Sequence, residues 1–243
     1  MISAKKIAII KTGDTLAHLI PEYGDFEDWI AAGLQVSFQD IRVVNVEQHQ
    51  PLPEISDLKG VVISGSHAMV TQNLDWSLGL EAWIPRLIQE RVPLLGICYG
   101  HQLIARAMGG AVDYHPQGLE IGTTDIELAG PGLENDPLFG KFPSKFKAHV
   151  VHSQTVLRLP ESAVSLAKNG FEPHHGFRIG PSAWGIQFHP EFNAAVEKAY
   201  IAHLSETIVQ WGKNPVQVQE RVEETPIAAM VLQRFANLCS GPV

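Results

Sequence analysis

The sequence predicts a three-layer α/β fold: a mainly parallel sheet flanked by helices, with antiparallel strands added to it. Three observations carry this reading. In the first third, short apolar runs that do not alternate are each followed by a helical pattern, as in parallel strands covered on both faces. Residues 111–188 contain strand-like pieces with little helical periodicity. Beyond residue 192 the apolar spacing becomes helical again.

Taken in order, Ile7, Ala8, Ile9 and Ile10 form a buried strand. Residues 25–34 form a helix with Phe26, Trp29, Ile30 and Gly33 along one side. Residues 41–46 are a second strand, Pro51 and Pro53 mark a loop, and Val61, Val62 and Ile63 are a third strand ending at Ser64-Gly65. In the helix over 76–89, Trp76, Leu80, Trp83, Ile84, Leu87 and Ile88 keep the 3.6 period. Residues 93–97 are a fourth strand; a helix over 102–108 stops at Gly109-Gly110. Strand-like pieces over 122–128, 146–151, 164–167 and 184–188 suggest an antiparallel layer or extension. The closing helices carry Val196 through Trp211 and then Ile227, Val231, Phe235 and Leu238 on apolar faces. No internal repeat, low-complexity tract or linker divides the chain.

Composition narrows the function. The 243 residues are 45% hydrophobic and 18% charged, as in a globular chain with a sizeable core. With 26 acidic against 18 basic residues the formal charge is −8, and no dense Lys/Arg run offers a face for nucleic acid or an anionic membrane. Two cysteines make no disulfide framework. No apolar run approaches the roughly 18–20 residues of a membrane span. The four apolar residues after the first lysines fall short of the about 7–15 of a signal-peptide core. A cytoplasmic protein is expected.

The most informative stretch is Gly96-Ile97-Cys98-Tyr99-Gly100 at a strand-to-helix junction. Small residues two before and two after a nucleophile let the chain turn sharply and raise its side chain at the carboxyl end of the sheet. The N–H groups and dipole of the following helix then face the sulfur, and the thiolate is the reactive form. An arbitrary cysteine is more often a small buried core residue; the flanking glycines are what shift the balance. Cys239 has no such context and reads as structural.

A nucleophilic cysteine needs a base, and the base often needs an orienting group. With 11 histidines, one available His means little. Phe188-His189-Pro190-Glu191 is the best candidate, because residues i and i+2 of an extended chain project to one side. Glu191 can then hold one imidazole nitrogen while the other faces Cys98. Alone the pattern is weak; its weight comes from the elbow. An oxyanion formed on acyl attack needs two N–H donors. Tyr99 would supply one, and the Gly65-Ser66-His67 loop the other.

These residues resemble the class I glutamine amidotransferase family, whose triad is Cys-His-Glu. Blocks 61–67, 96–102 and 188–191 match in order, over about residues 5–192, and are similar to the glutaminase domain attached to GMP synthase and its free-standing relatives. The resemblance implies a flavodoxin-like fold; the chain itself reads as a single domain over 1–243, with 193–243 its C-terminal helical extension. The resemblance also implies a thioester mechanism: Cys98 attacks the side-chain amide of glutamine, His189 protonates the leaving ammonia, Glu191 orients His189, and water releases glutamate. Gln102 matches the family's glutamine-contacting Gln, and Val151, His152 and Ser153 fall where the substrate's amino-acid end is held. Two departures stand out. The family's loop reads Gly-Gly-Pro where this chain has Gly65-Ser66-His67, so the oxyanion loop is expected to rearrange on binding. GMP synthase-type domains read Ser-His-Gly-Asp where this chain has Val151-His152-Ser153-Gln154, without the acidic residue.

About 50 residues remain after 192, below a typical domain of about 100–150, and no Gly-rich phosphate loop is present. An ammonia-using synthase would therefore be a separate subunit. Hydrolysis of γ-glutamyl peptides or amides is the alternative with the same chemistry. A catalytically idle regulatory protein on the same fold is the alternative from another class. No cofactor is expected. Nor is a metal: His149 and His152 split across a strand, the adjacent His174 and His175 read as solvated loop residues, and no Cys-x-x-Cys is present.

Overall fold

The computed structural model describes residues 4–241. Its strands are β1 (Lys6–Lys11), β2 (Ile41–Asn45), β3 (Leu58–Ile63), β4 (Leu94–Ile97), β5 (Ala111–Tyr114), β6 (Glu120–Leu128), β7 (Lys145–His152), β8 (Gln154–Arg158), β9 (Ala163–Lys168), β10 (Gly176–Ile179) and β11 (Ala183–Ile186). Its helices are α1 (Ile20–Tyr23), α2 (Phe26–Leu34), α3 (Asp75–Gln89), α4 (Tyr99–Ala107), α5 (Ala194–His203), α6 (Ser205–Gln210), α7 (Pro215–Glu220) and α8 (Pro226–Cys239).

Nine strands form one sheet in the order β2-β1-β3-β4-β11-β10-β9-β6-β7, while β5 and β8 pair separately. The first five run parallel to their neighbours. The remaining four are joined by antiparallel pairings. The period-2 geometry of a strand divides β1 between two cores. Ile7 and Ile9 face the layer holding Ile30 and Leu34 of α2 and Val231, Leu232 and Phe235 of α8. Ala8 and Ile10 face Leu80, Ile84 and Leu87 of α3 and Leu103 and Ile104 of α4.

Local chemistry sets the helix starts. Asp25 caps α2 with its carboxylate on the Phe26 N–H, and Asp28 answers on the Asp25 N–H, a reciprocal capping box. Asn193 caps α5 through the Val196 N–H at 2.9 Å. At Gly33 a Cβ would overlap Leu232, so the missing side chain lets α2 and α8 approach closely.

Several boundaries differ from the sequence expectation. The piece expected over 184–188 ends at Ile186 and joins the parallel half of the sheet beside β4, not the antiparallel extension. The helix expected from 102 begins at Tyr99, one residue after the elbow. The continuous helix expected through Trp211 breaks at Leu204 into α5 and α6. Strands β5, β8 and β10 were not distinguished by pattern; β5 is partly exposed and β10 is four residues long.

Candidate active site

Four loops meet beyond the carboxyl ends of parallel strands, where open α/β sheets carry their sites. Thr12 and Gly13 follow β1, residues 64–67 follow β3, Cys98 follows β4, and His189 lies three residues past β11. Because Ile97 pairs with Ile186, the segments bearing Cys98 and His189 leave the sheet side by side.

Cys98 has φ 48° and ψ −95°, in the left-handed half of backbone space that a non-glycine residue enters only under constraint. Its N–H donates to the Ile186 carbonyl at 2.8 Å, and its own carbonyl accepts from Gln102 N–H at 3.1 Å. The glycines make this turn possible. A Cβ on Gly96 would overlap the Gly100 carbonyl, and one on Gly100 would lie 2.6 Å from the Ile63 carbonyl oxygen. The sulfur is mostly buried and lies 3.7 Å from the Val151 carbonyl oxygen.

His189 is held from three sides. Its backbone N–H donates to the His149 carbonyl at 2.9 Å, and its ring stacks on Phe192 with centroids 4.1 Å apart. Its Nδ1 lies 2.7 Å from Glu191 Oε1. A carboxylate can only accept, so Nδ1 carries the proton and Nε2 is left for the sulfur. Burial alone would lower the pKa of His189. The Glu191 carboxylate and then Cys98, by charge and hydrogen bonding, outweigh it and raise it well above the ordinary value. Glu191 is itself buried. Gly65 completes the constellation: a Cβ there would stand 3.0 Å from His189 Cε1 and 3.8 Å from Cys98 Cβ.

The loop after β3 is tied down. Thr12 Oγ1 and Ser64 Oγ both lie 2.9 Å from the Gly65 carbonyl. Ser66 Oγ accepts from Ala68 N–H at 3.0 Å. His67 Nε2 is 3.0 Å from the Tyr200 hydroxyl, which is 2.8 Å from Thr15 Oγ1. Burial, and then the nearby His203 and His189, lower the pKa of His67.

A cavity of about 320 Å³ opens beside the sulfur, lined among others by Ser66, Cys98, Tyr99, Gln102, Val151, His152 and Ser153. The structure thus brings Cys98, His189, Glu191 and Gly65 together and sets the other expected contact residues around one cavity. Gln102 is already engaged, donating through Nε2 to the Gln154 carbonyl at 2.7 Å and to Gln187 Oε1 at 2.9 Å. Tyr99 turns its hydroxyl away to Ser77. His152 is buried against Glu120 at 2.8 Å.

Sequence reasoning missed part of the cavity wall: Leu16, Met69, Leu119 and Thr207 line it, with Tyr200, His203 and Leu204. Tyr200, His203, Leu204 and Thr207 are legible in the sequence only as members of one helix face. The expectation of two solvated loop histidines is corrected for His175, which is fully buried beside Glu120.

Residues 19–205 match the family model described as Glutamine amidotransferase class-I. Gamma-glutamyl peptidase 4 of Arabidopsis thaliana is 36% identical over 160 residues, covering 64% of this chain and 62% of the peptidase. The glutamine-hydrolyzing GMP synthase of Aeropyrum pernix is 36% identical over 132 residues, covering 54% of this chain and 24% of the synthase. The match therefore spans less than two thirds of either relative's own length. Among solved structures, a glutamine amidotransferase from Thermotoga maritima aligns with a TM-score of 0.76 at 20% identity, covering 98% of this chain and 99% of that one, a likeness of fold.

Proposed function

This chain belongs to the class-I glutamine amidotransferase family, and from that premise we propose that it hydrolyses a γ-glutamyl amide, glutamine first, through a thioester on Cys98. The observation that carries the reading is the convergence of Cys98, His189 and Glu191 around Gly65 at the carboxyl edge of the sheet.

The Cys98 thiolate attacks the γ-carbonyl carbon, and the carbonyl π pair moves onto oxygen. The Tyr99 N–H at the start of α4 and the 65–66 backbone receive that oxyanion. When the tetrahedral species collapses, the C–N bond breaks, the nitrogen takes the proton from His189, and ammonia leaves. Neutral His189 then accepts a proton from water as it attacks the thioester. Glutamate and the thiolate–imidazolium pair are regenerated. Glu191 steadies the imidazolium and fixes its tautomer. Gln102, Val151, His152 and Ser153 fit the substrate's amino-acid end.

Hydrolysis of larger γ-glutamyl amides is the second reading, and the cavity favours it. The space extends from Cys98 to an apolar wall of Leu16, Leu119 and Leu204, room for a leaving group larger than ammonia. For glutamine as substrate, the proposal includes a separate ammonia-accepting synthase subunit, supported by the relative that is a GMP synthase. A cytoplasmic setting also belongs to the proposal, supported by two free cysteines. No described helix is long and apolar enough to cross a membrane.

Glutamate release from glutamine and from γ-glutamyl dipeptides by the isolated chain tests both readings. Turnover of either that disappears in Cys98→Ala supports the covalent route. A strong preference for dipeptides in kcat/KM selects the second reading, and turnover retained by Cys98→Ala removes the mechanism.

A further inference from the structure

Glu120 opens β6, His152 closes β7, and His175 immediately precedes β10. All three are buried, with residue exposures of 6%, 5% and 0%. One donor atom from each lies within 4.8 Å of the other two. His152 Nε2 is 2.8 Å and His175 Nε2 is 3.2 Å from the same oxygen, Glu120 Oε2. Ligands around a tetrahedral ion with bonds of about 2.1 Å are separated by roughly 3.4 Å; the His175 contact is close to this, and the shorter His152 contact would have to open to admit an ion.

The donor atoms can take a cation. His152 Nδ1 faces the Gln154 carbonyl at 3.0 Å, so Nδ1 must carry a hydrogen. The Nε2–Glu120 contact is then either an imidazolium–carboxylate pair or, with the ring neutral, two lone pairs facing one cation. A proton would satisfy that pair but has no use for a third donor. His175 supplies one: its buried Nδ1 has no partner, and its Nε2, though 3.2 Å from Glu120 Oε2, is not aligned for a hydrogen bond. The outer contacts also fit a metal centre, in which a ligating imidazole donates its other N–H to a carbonyl and a ligating carboxylate is itself hydrogen-bonded. His152 makes the first contact, and Asn169 Nδ2 donates to Glu120 Oε1 at 2.6 Å for the second.

We propose that Glu120, His152 and His175 form a site for a divalent transition-metal ion, Zn²⁺ or its analogue Co²⁺, that pins three separate segments behind the cavity. The two imidazoles and one carboxylate suit such an ion better than Mg²⁺ or Ca²⁺, which take oxygen ligands. His152 is the one residue shared with the thioester reading, so the ion is tested by binding and not by turnover.

The test is a Co²⁺ titration of the tag-free, chelator-treated full chain, followed by visible absorption, with Zn²⁺ competition and thermal melts. The expected result is one equivalent bound with a d–d band, displacement by Zn²⁺, and a raised Tm. His175→Gln and His152→Gln, each verified as folded by circular dichroism, should each bind at least about 10–100-fold more weakly. A folded wild-type chain that shows no band and retains no Zn²⁺ overturns the proposal. So does a wild type that binds no more tightly than both variants, and the wild-type titration decides even if neither variant folds.

Discussion

At Cys98 the backbone is held in a conformation that costs on the order of 1–3 kcal/mol, and the hydrogen bonds to Ile186 and from Gln102 keep it there. In the proposed mechanism Cys98 acts through its sulfur, which is no part of these backbone hydrogen bonds. Cys98→Ser should therefore leave Tm nearly unchanged and lower kcat by about 10⁴-fold or more, read by glutamate release. Glu191→Gln should lose less, about 10²–10⁴-fold in kcat, because it removes a charge beside His189 and leaves the nucleophile in place. A larger loss in Glu191→Gln than in Cys98→Ser would contradict these roles. The elbow and the His-x-Glu pair were legible in the sequence because each is a local pattern whose spacing has a geometric meaning. Phe192 under His189, and the Thr15–Tyr200–His67 chain, were not. Those contacts join side chains from distant segments, and nothing in the neighbourhood of either residue marks the partner.

Among the elements, the β4–α4 junction has the least tolerance. A Cβ on Gly100 would meet the Ile63 carbonyl oxygen at 2.6 Å and Ile63 Cβ at 2.9 Å, and backbone cannot swing aside as a side-chain tip can. Gly100→Ala is expected to destabilise by about 1–3 kcal/mol. At about 2–4 °C per kcal/mol for a chain of this size, a melting scan would resolve the loss, and an unchanged Tm would show that α4 can slide away from β3. The parallel strands and their helices were readable because doubly covered strands are uninterrupted apolar runs and amphipathic helices keep their period. The second half was harder. β11, only four residues long, carries no mark of which sheet neighbour it takes, so its place beside β4 emerges only from the tertiary pairing.

Over the whole molecule, buried ionisable groups set opposing pH limbs. His149 is buried as a neutral ring, its pKa pushed down to about 4 by burial and then by the charge of His189. Burial likewise holds His101 well below 6.5. The unfolded chain takes up these protons below about 6.5, so stability falls as pH drops from there. Glu197 acts in the other direction. Burial raises its carboxyl from 4.5 to about 8, so it stays protonated in the fold while the unfolded chain ionises, and stability falls as pH rises through that window. His189, raised, contributes stability below about 6.5 that is lost as pH climbs toward its folded value. Between 4.5 and 6.5 the histidines held low, His149, His101, His67 and His174, oppose the raised carboxyls of Glu197 and Glu47; above 6.5, Glu197 and His189 act together. Tm is therefore expected to peak near pH ~6.5, each group contributing roughly 1.4 kcal/mol per pH unit within its window. Glu197→Gln should flatten the alkaline limb, and a Tm that climbs steadily to pH 8 would contradict this balance. The insertion of β11 between β4 and β10 has a consequence for biosynthesis. A ribosome-bound chain that has released only its first half has Cys98 but neither the Ile186 carbonyl that holds its bend nor the His189 imidazole. Under the proposed mechanism, assembly of the site then waits for a late-emerging strand to slot into a gap.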